Sequence, residues 1–369
     1  MNKINWFEPK INKVDKNLLN TAIKNNFISE GKITKNLEKK ISKFLKIKNV
    51  VMTSSGTSAI YLALRSLNVS NNDEIILPNI TYVATLNAIK LSGAKPVIVD
   101  VDIKTSTIDL NDLKKKVNKK TKALIFVHVS GRPGNFKDIL AFAKMKKIKI
   151  IEDAAEAFSS SLNKKKLGTY GDLGCFSFTP TKMITAAQGG AVVTSNNKLA
   201  SHIRSLKDQG RTKKNIGGDD EHNFFGGNFK FNDILASILS PQLDNINKIS
   251  KNFIKISDFY RKNLKGIKGL NFYKKNKGEI CIWTEVICKE RNKLFNYLLK
   301  NNIKCRKIWK PLSKLKSNKI NKKFDNSDII YKNVMWLPSG LNLSSRELKY
   351  ICSKILDFYK IKAYFKKIT

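Results

Sequence analysis

No stretch of about 18 successive apolar residues occurs in this chain, so nothing in it reads as a membrane-spanning helix. Its opening, MNKINWFEPKINK, also lacks the apolar core of a secretory signal. Cysteine is scarce: Cys175, Cys281, Cys288, Cys305 and Cys352 form an odd set with no C-x-x-C pair, which implies neither a disulfide framework nor a zinc site. A reducing cytoplasm is the expected location. The three histidines, His128, His202 and His222, stand at no metal-ligand spacing, so no metal is expected. His128 ends an apolar run and could line a cleft or be purely structural. There is no internal repeat and no Gly/Ser/Pro-rich linker.

Acidic residues are also few, 29 Asp+Glu against 70 Lys+Arg, for a formal net charge of +41. Such a charge ordinarily suggests nucleic acid or an anionic membrane as a partner. Here the lysines are scattered along the whole chain among abundant Asn and Ile, as an AT-rich coding sequence would produce. A nucleic-acid face would concentrate them with aromatics interleaved, and no such segment stands out. Neither nucleic acid nor membrane is therefore expected as a partner. Runs such as Lys114–Lys116 and Lys164–Lys166 read as solvated surface, and the positive field would draw in anionic small molecules.

What is present is an ordinary globular composition, 41% hydrophobic and 9% aromatic, over 369 residues. That length exceeds a single core and predicts two lobes. From about residue 48 short β-rich apolar runs alternate with amphipathic segments, the pattern of an α/β fold. Candidate strands are 49–53, 74–77, 96–99, 123–128, 148–152, 174–178 and 191–194. Helical spacing covers 57–67, 82–91, 110–117 and 136–144. Several strands are apolar on both faces, which predicts a mainly parallel seven-stranded sheet covered by helices. After about residue 245 longer basic helices (246–264, 293–301, 345–359) surround strands such as 281–287. Residues 1–245 are thus expected to form the large domain and 246–369 a smaller C-terminal α+β domain.

Three segments could carry chemistry. In VVMTSSGTSAIYLALRSL (50–67) a strand meets a helix through Ser-Gly-Thr-Ser. Gly56 permits a tight turn, and Thr57 and Ser58 bring hydroxyls and free N–H groups to a helix start that attracts phosphate; taken alone, a plain helix cap is the readier reading. In KIKIIEDAAEAF (147–158) an apolar strand runs into Glu152 and Asp153. A carboxylate at a strand's carboxyl end either caps a helix or faces the ligand crevice. In FSFTPTKMITAAQGGAVVT (176–194) Lys182 stands between two strands. Together a phosphate cup, a strand-end aspartate and a crevice lysine are what pyridoxal phosphate requires.

At these residues the chain resembles the DegT/StrS-type sugar-nucleotide aminotransferases, pyridoxal-phosphate enzymes of the aspartate-aminotransferase fold (fold type I). The likeness is strongest from Ser55 to Leu243, in LPNITYVATLNAIKLSGAKPVIVDVD (77–102), IIEDAAEAFSS (150–160), GTYGDLGCFSFTPTKMITAAQGGAVVTS (168–195) and GGNFKFNDILASILSPQL (226–243). ISEGKITKNLEKKISKFL (28–45) and WLPSGLNLSSREL (336–348) extend it to both ends. Several motifs in order are far more specific than any one.

The resemblance implies that Lys182 carries the cofactor and moves the substrate proton, and that Asp153 pairs with the pyridine nitrogen. It implies that Gly56, Thr57, Ser58 and Ser177 hold the phosphate and that Tyr82 stacks on the ring, against the alternative of a core tyrosine. Asn228 matches a residue that reaches the neighbouring subunit's cofactor, which implies a homodimer with shared sites. Glu156 stands where many relatives have glutamine, near the cofactor's phenolic oxygen, and resembles perosamine-type synthases. Lys230 replaces a frequent arginine, and Ala187-Gln188 a more usual Gly-Glu. The expected activity is transfer of an amino group from glutamate to a nucleotide-linked keto-6-deoxy sugar, weighted toward a 4-keto sugar on GDP, for surface-polysaccharide synthesis. Specificity is expected in the loops 207–225 and 304–313. The alternatives are a dehydratase of the same fold, which would replace the lysine by histidine, and a non-catalytic regulatory or binding protein.

Overall fold

The fold follows from runs too apolar to tolerate water on either face. In the computed structural model, which describes residues 3–11, 16–24, 28–215, 218–318, 320 and 322–368, with side chains to 360, seven such runs form one sheet. They are β1 (Asn49–Thr53), β2 (Glu74–Pro78), β3 (Lys95–Val99), β4 (Thr121–Val127), β5 (Lys149–Asp153), β6 (Leu173–Ser177) and β7 (Gly190–Thr194), in the order β1-β7-β6-β5-β4-β2-β3. Five are parallel neighbours or extend that run, and only β7 runs antiparallel to both β6 and β1. Every residue of β2, β6 and β7 is buried. The seven strands stand within two residues of the boundaries expected from sequence, and β1 matches them at both ends.

Strand alternation divides the core. Val51, Ile75, Leu77, Ile125, Val127, Ile151, Cys175 and Val192 pack beneath α3 (Gly56–Ser66) and α4 (Val83–Leu91). On the opposite face Ile76, Leu124, Phe126 and Ile150 meet the helices 110–116 and 136–145, and Val50, Met52, Ala191 and Val193 meet the helices 32–45 and 233–244. In each lysine run the first two residues, Lys114 and Lys115 or Lys164 and Lys165, are exposed as expected, and the third is partly buried. Lys116 Nζ donates to Ile98 O and Asp112, and Lys166 Nζ donates to Ser159 O beside the Phe44 ring. Burial lowers both ammonium pKa values.

A second, antiparallel sheet contains Leu270–Asn271, Glu285–Cys288, Val334–Trp336 and Arg306–Lys307 in that order. The run expected as strand from 281 pairs only from Glu285. Before it, Trp283 Nε1 donates to Thr181 O and Thr284 N to Ser339 Oγ, which turns the chain toward the first sheet. Residues 4–6 lie along this second sheet, through Ile4 N to Asn302 O, Lys304 N to Ile4 O, and Ser339 N to Trp6 O. Among the described residues no helix is long and apolar enough to cross a membrane.

The two sheets are tied by a buried ion pair. Arg132, 1% exposed, follows β4 and reaches Glu285 with its guanidinium, which also donates to Thr105 O and lies 4.1 Å over the Tyr273 ring. Glu285 in turn accepts from Trp336 Nε1 at 3.0 Å. Removing one partner leaves an unpaired buried charge, so Arg132→Leu should lower unfolding stability by about 3–5 kcal/mol in a guanidinium titration. A loss under about 1 kcal/mol would show that the pair does not tie the sheets.

Candidate active site

The carboxyl ends of β1, β5 and β6 open on one cavity of about 370 Å³, a volume suited to a small organic ligand. After β1, Ser55 caps α3. Its Oγ accepts from Ser58 N at 3.0 Å, while Ser58 Oγ accepts from Ser55 N at 2.9 Å. This reciprocal box leaves the N–H groups of Gly56 and Thr57 without intrahelical partners, facing the cavity. Glycine is needed at 56, because a Cβ there would lie 2.8 Å from Ser177 Cβ. The helix start and the Ser177 hydroxyl thereby form one cup.

Two successive carboxylates end β5, and alternation separates them. Asp153 shares the face of Ile151, lines the cavity, and accepts from Thr85 Oγ1 at 2.8 Å and Ala155 N at 3.2 Å. Burial raises its pKa; the Thr85 and Ala155 hydrogen bonds and the Lys182 charge act the other way. Glu152 turns to the opposite face, where it accepts from the N–H groups of Gly168, Tyr170 and Gly171 and meets His128 Nε2 at 2.9 Å. His128 Nδ1 faces Arg132 O, so both ring nitrogens are committed and the ring does not reach the cavity.

Lys182 follows a turn at Thr179–Thr181 and projects Nζ to 3.4 Å from Glu156 Oε1 and 5.0 Å from the centre of the Trp283 ring. Glu156 Oε2 accepts from Ser130 N at 2.7 Å. Ser130 is held at φ +53°, a conformation uncommon for a non-glycine residue. Burial raises the Glu156 pKa; the Lys182 charge and the Ser130 N–H oppose it, and the Asp153 charge adds to it.

The structure thus brings Gly56, Thr57, Tyr82, Asp153, Glu156, Ser177 and Lys182 to one cavity. Tyr82 is 52% exposed, which rules out a core role for it. Ser58 does not line the cavity: its hydroxyl is held by the capping box and supports the cup from behind. Asn228 is exposed and stands outside its own chain's cavity, bridged to Asp208. Lys230 pairs with Asp208 at 2.6 Å. Ala187 has φ +66°, a reason for glycine to be usual at that position. Cavity residues not singled out from the sequence include Ser55, Thr85, Thr179 and Trp283, while Arg306 and Trp309 fall in the loop 304–313 expected to carry specificity. Ser55 had a signal in its place before Gly56, whereas Trp283 comes from the segment that leads into the second sheet, with no local mark of its direction.

These donors fit pyridoxal phosphate. The cup supplies amides and a hydroxyl for a phosphate, Asp153 a buried carboxylate for a ring nitrogen, and Lys182 an amine for an aldehyde. Among the described residues no group of three or more His, Cys, Asp or Glu could hold a metal ion.

The chain is similar to known proteins over nearly its whole length. The sequence profile of the DegT/DnrJ/EryC1/StrS aminotransferase family matches residues 9–356. The chain is 32% identical to the GDP-perosamine synthase of Escherichia coli O157:H7, over 98% of this chain and 100% of that protein. It is 31% identical to the GDP-perosamine synthase of Vibrio cholerae, over 96% and 98%. Its fold matches the PMP form of the putative sugar aminotransferase Spr1654 from Streptococcus pneumoniae, with a TM-score of 0.92, 24% identity, and coverage of 97% and 99%.

Glu156 sets a pH dependence. Its raised pKa means that the folded, cofactor-free protein holds the proton above the ordinary value of 4.5. This contribution to stability is complete below that value and is lost as pH rises through the raised one. Glu156→Gln should therefore leave the cofactor-free Tm unchanged near pH 4 and raise it by about 2 °C near pH 8. A Tm lowered at pH 8, by differential scanning fluorimetry, would refute this.

Proposed function

Because the chain belongs to the DegT/DnrJ/EryC1/StrS family of pyridoxal-phosphate-dependent sugar-nucleotide aminotransferases, we propose that it aminates a nucleotide-linked 4-keto-6-deoxy sugar with glutamate as donor. The observation that carries this reading is the placement of Lys182 Nζ in one cavity with the buried Asp153 and the open start of α3. Two features favour a GDP-linked 4-keto sugar. Glu156, by the resemblance drawn from the sequence, marks perosamine-type synthases, and the two relatives named above are GDP-perosamine synthases.

When bound, pyridoxal phosphate supplies an aldehyde that condenses with amines and a ring that accepts an electron pair. The chain's own groups do the rest. Gly56 and Thr57 N–H and the Ser177 hydroxyl orient the phosphate. Asp153, fixed by Thr85 and Ala155, holds the proton at the ring nitrogen. Lys182 Nζ takes the donor's α-proton and returns one to the former keto carbon of the sugar. Glu156 stays beside Lys182 through its Ser130 anchor, and Tyr82 and Trp283 present their rings to the same cavity.

Asn228, exposed beside Gly227 and off its own cavity, supports a homodimer in which it enters the neighbouring site. The five buried free thiols support a reducing cytoplasm as the place of action, within amino-sugar synthesis for surface polysaccharide.

Borohydride treatment of the loaded protein should fix the cofactor covalently on Lys182, as read by peptide mass, and glutamate should bleach the visible band. Lys182→Ala should lower turnover of a nucleotide-linked 4-keto sugar by at least about a thousandfold. A protein that stays colourless with added cofactor, or a variant that turns over at the normal rate, would refute the function. Among GDP-, UDP- and dTDP-linked keto sugars, the GDP-linked 4-keto compound should react fastest.

A further inference from the structure

The chain has four tryptophans, and all four stand in one cluster. Trp283 and Trp309 each lie 4.9 Å from Trp336, and Trp6 lies 5.5 Å from Trp283 and 6.3 Å from Trp336, between ring centres. Trp283 also faces Lys182 Nζ, and Trp309 faces Tyr82. Trp283 and Trp309 therefore form one wall of the cavity, with Trp336 and Trp6 packed behind them.

Arg306 is set into this wall. Its guanidinium carbon lies 4.8 Å from the Trp6 ring centre and 5.9 Å from that of Trp336, and the residue lines the cavity. Its backbone pairs with Trp336 in the second sheet, and among the described residues its side chain has neither an ion pair nor a hydrogen bond. Other arginines of the chain do have acids: Arg132 meets Glu285, Arg204 meets Glu38, and Arg211 meets Asp208 and Asp220. Among the described residues, Arg306 is the one cation besides Lys182 that lines the cavity. Indole faces hold a guanidinium by cation–π attraction without using its in-plane N–H groups. Those donors remain free in a fixed fork that fits a carboxylate or a phosphate.

We propose that Arg306 is the anion-recognition group of this cavity, binding an oxyanion of a substrate: the carboxylate of the amino donor or the diphosphate of the sugar nucleotide. This rests on the function proposed above. The indole wall fixes the fork beside the reacting lysine, so an anion docked there places the rest of its molecule against Lys182. Its arrival also changes the surroundings of Trp283 and Trp309 in the cavity and of Trp6 beside the guanidinium, which makes tryptophan fluorescence a reporter of binding.

The test uses cofactor-loaded wild-type, Arg306→Gln and Arg306→Lys proteins, titrated with glutarate and, separately, with GDP, UDP and dTDP, and followed by tryptophan fluorescence and calorimetry. Arg306→Gln should weaken either glutarate or a nucleoside diphosphate by about ten- to hundredfold, the range of a charge-assisted hydrogen bond. Arg306→Lys should recover part of that loss. A loss confined to glutarate assigns the donor carboxylate, and a loss confined to a nucleotide assigns the diphosphate. If both probes bind Arg306→Gln within about twofold of wild type, or if wild type binds neither, the assignment fails. It fails too if Arg306→Gln no longer takes up the cofactor, since the residue would then be structural. Wild-type protein that keeps its colour and its bleaching by glutamate leaves the aminotransferase reading standing in each of these cases.

Discussion

The site depends on two carboxylates being sent to opposite faces of β5. Pleating turns Asp153 toward α3 and α4 and Glu152 toward the helix 136–145. Both are removed from water, and each is compensated differently. Glu152 gathers three backbone N–H groups and the His128 ring, and so closes the turn 168–171. Asp153 receives only Thr85 and Ala155, leaving a desolvated carboxyl with its pKa raised, aimed into the cavity. A carboxylate so placed gains most from a cationic partner.

Around that carboxyl the other groups are held by contacts that leave their reacting atoms free. The Ser55–Ser58 box fixes the start of α3 without engaging the Gly56 and Thr57 amides. The Ser130 N–H binds one oxygen of Glu156 and leaves the other for Lys182. Thr81 and Thr85 are linked at 3.0 Å beneath Tyr82, which caps α4 and stands at the mouth. Preorganisation of this kind, in which supporting shells take up the spare hydrogen-bond capacity, allows a cavity to bind a charged cofactor without rearranging.

The second sheet supplies the remaining wall. The Arg132–Glu285 pair ties it to the end of β4, and Glu285 also holds Trp336, so one buried acid positions both the inter-sheet contact and the indole cluster. Residues 4–6 complete the wall, as Trp6 packs on Trp283 and Trp336 and covers Arg306. The chain's first described residues and its last strand thus meet beside a lysine from the middle.

Much of this was legible in the sequence. The seven strands announced themselves as short apolar runs, because a doubly covered strand has no polar face to obscure it. Asp153, Lys182 and the Gly56–Thr57 turn were marked by their places at strand ends. Local pattern said less about the second lobe, where the strand expected from 281 begins only at Glu285 because Trp283 turns aside to reach Thr181. Residue order fixed which groups the chain could bring to a strand end. Only the tertiary structure decided that Ser58 faces its cap, that Glu152 and His128 pair away from the cavity, and that Trp283, Arg306 and Trp309 complete it. Ser58 meets Ser55 three residues away and Glu152 meets His128 24 residues away, but the face each side chain takes, and the arrival of Trp283, Arg306 and Trp309 from more than a hundred residues beyond Lys182, depend on packing that no local periodicity encodes.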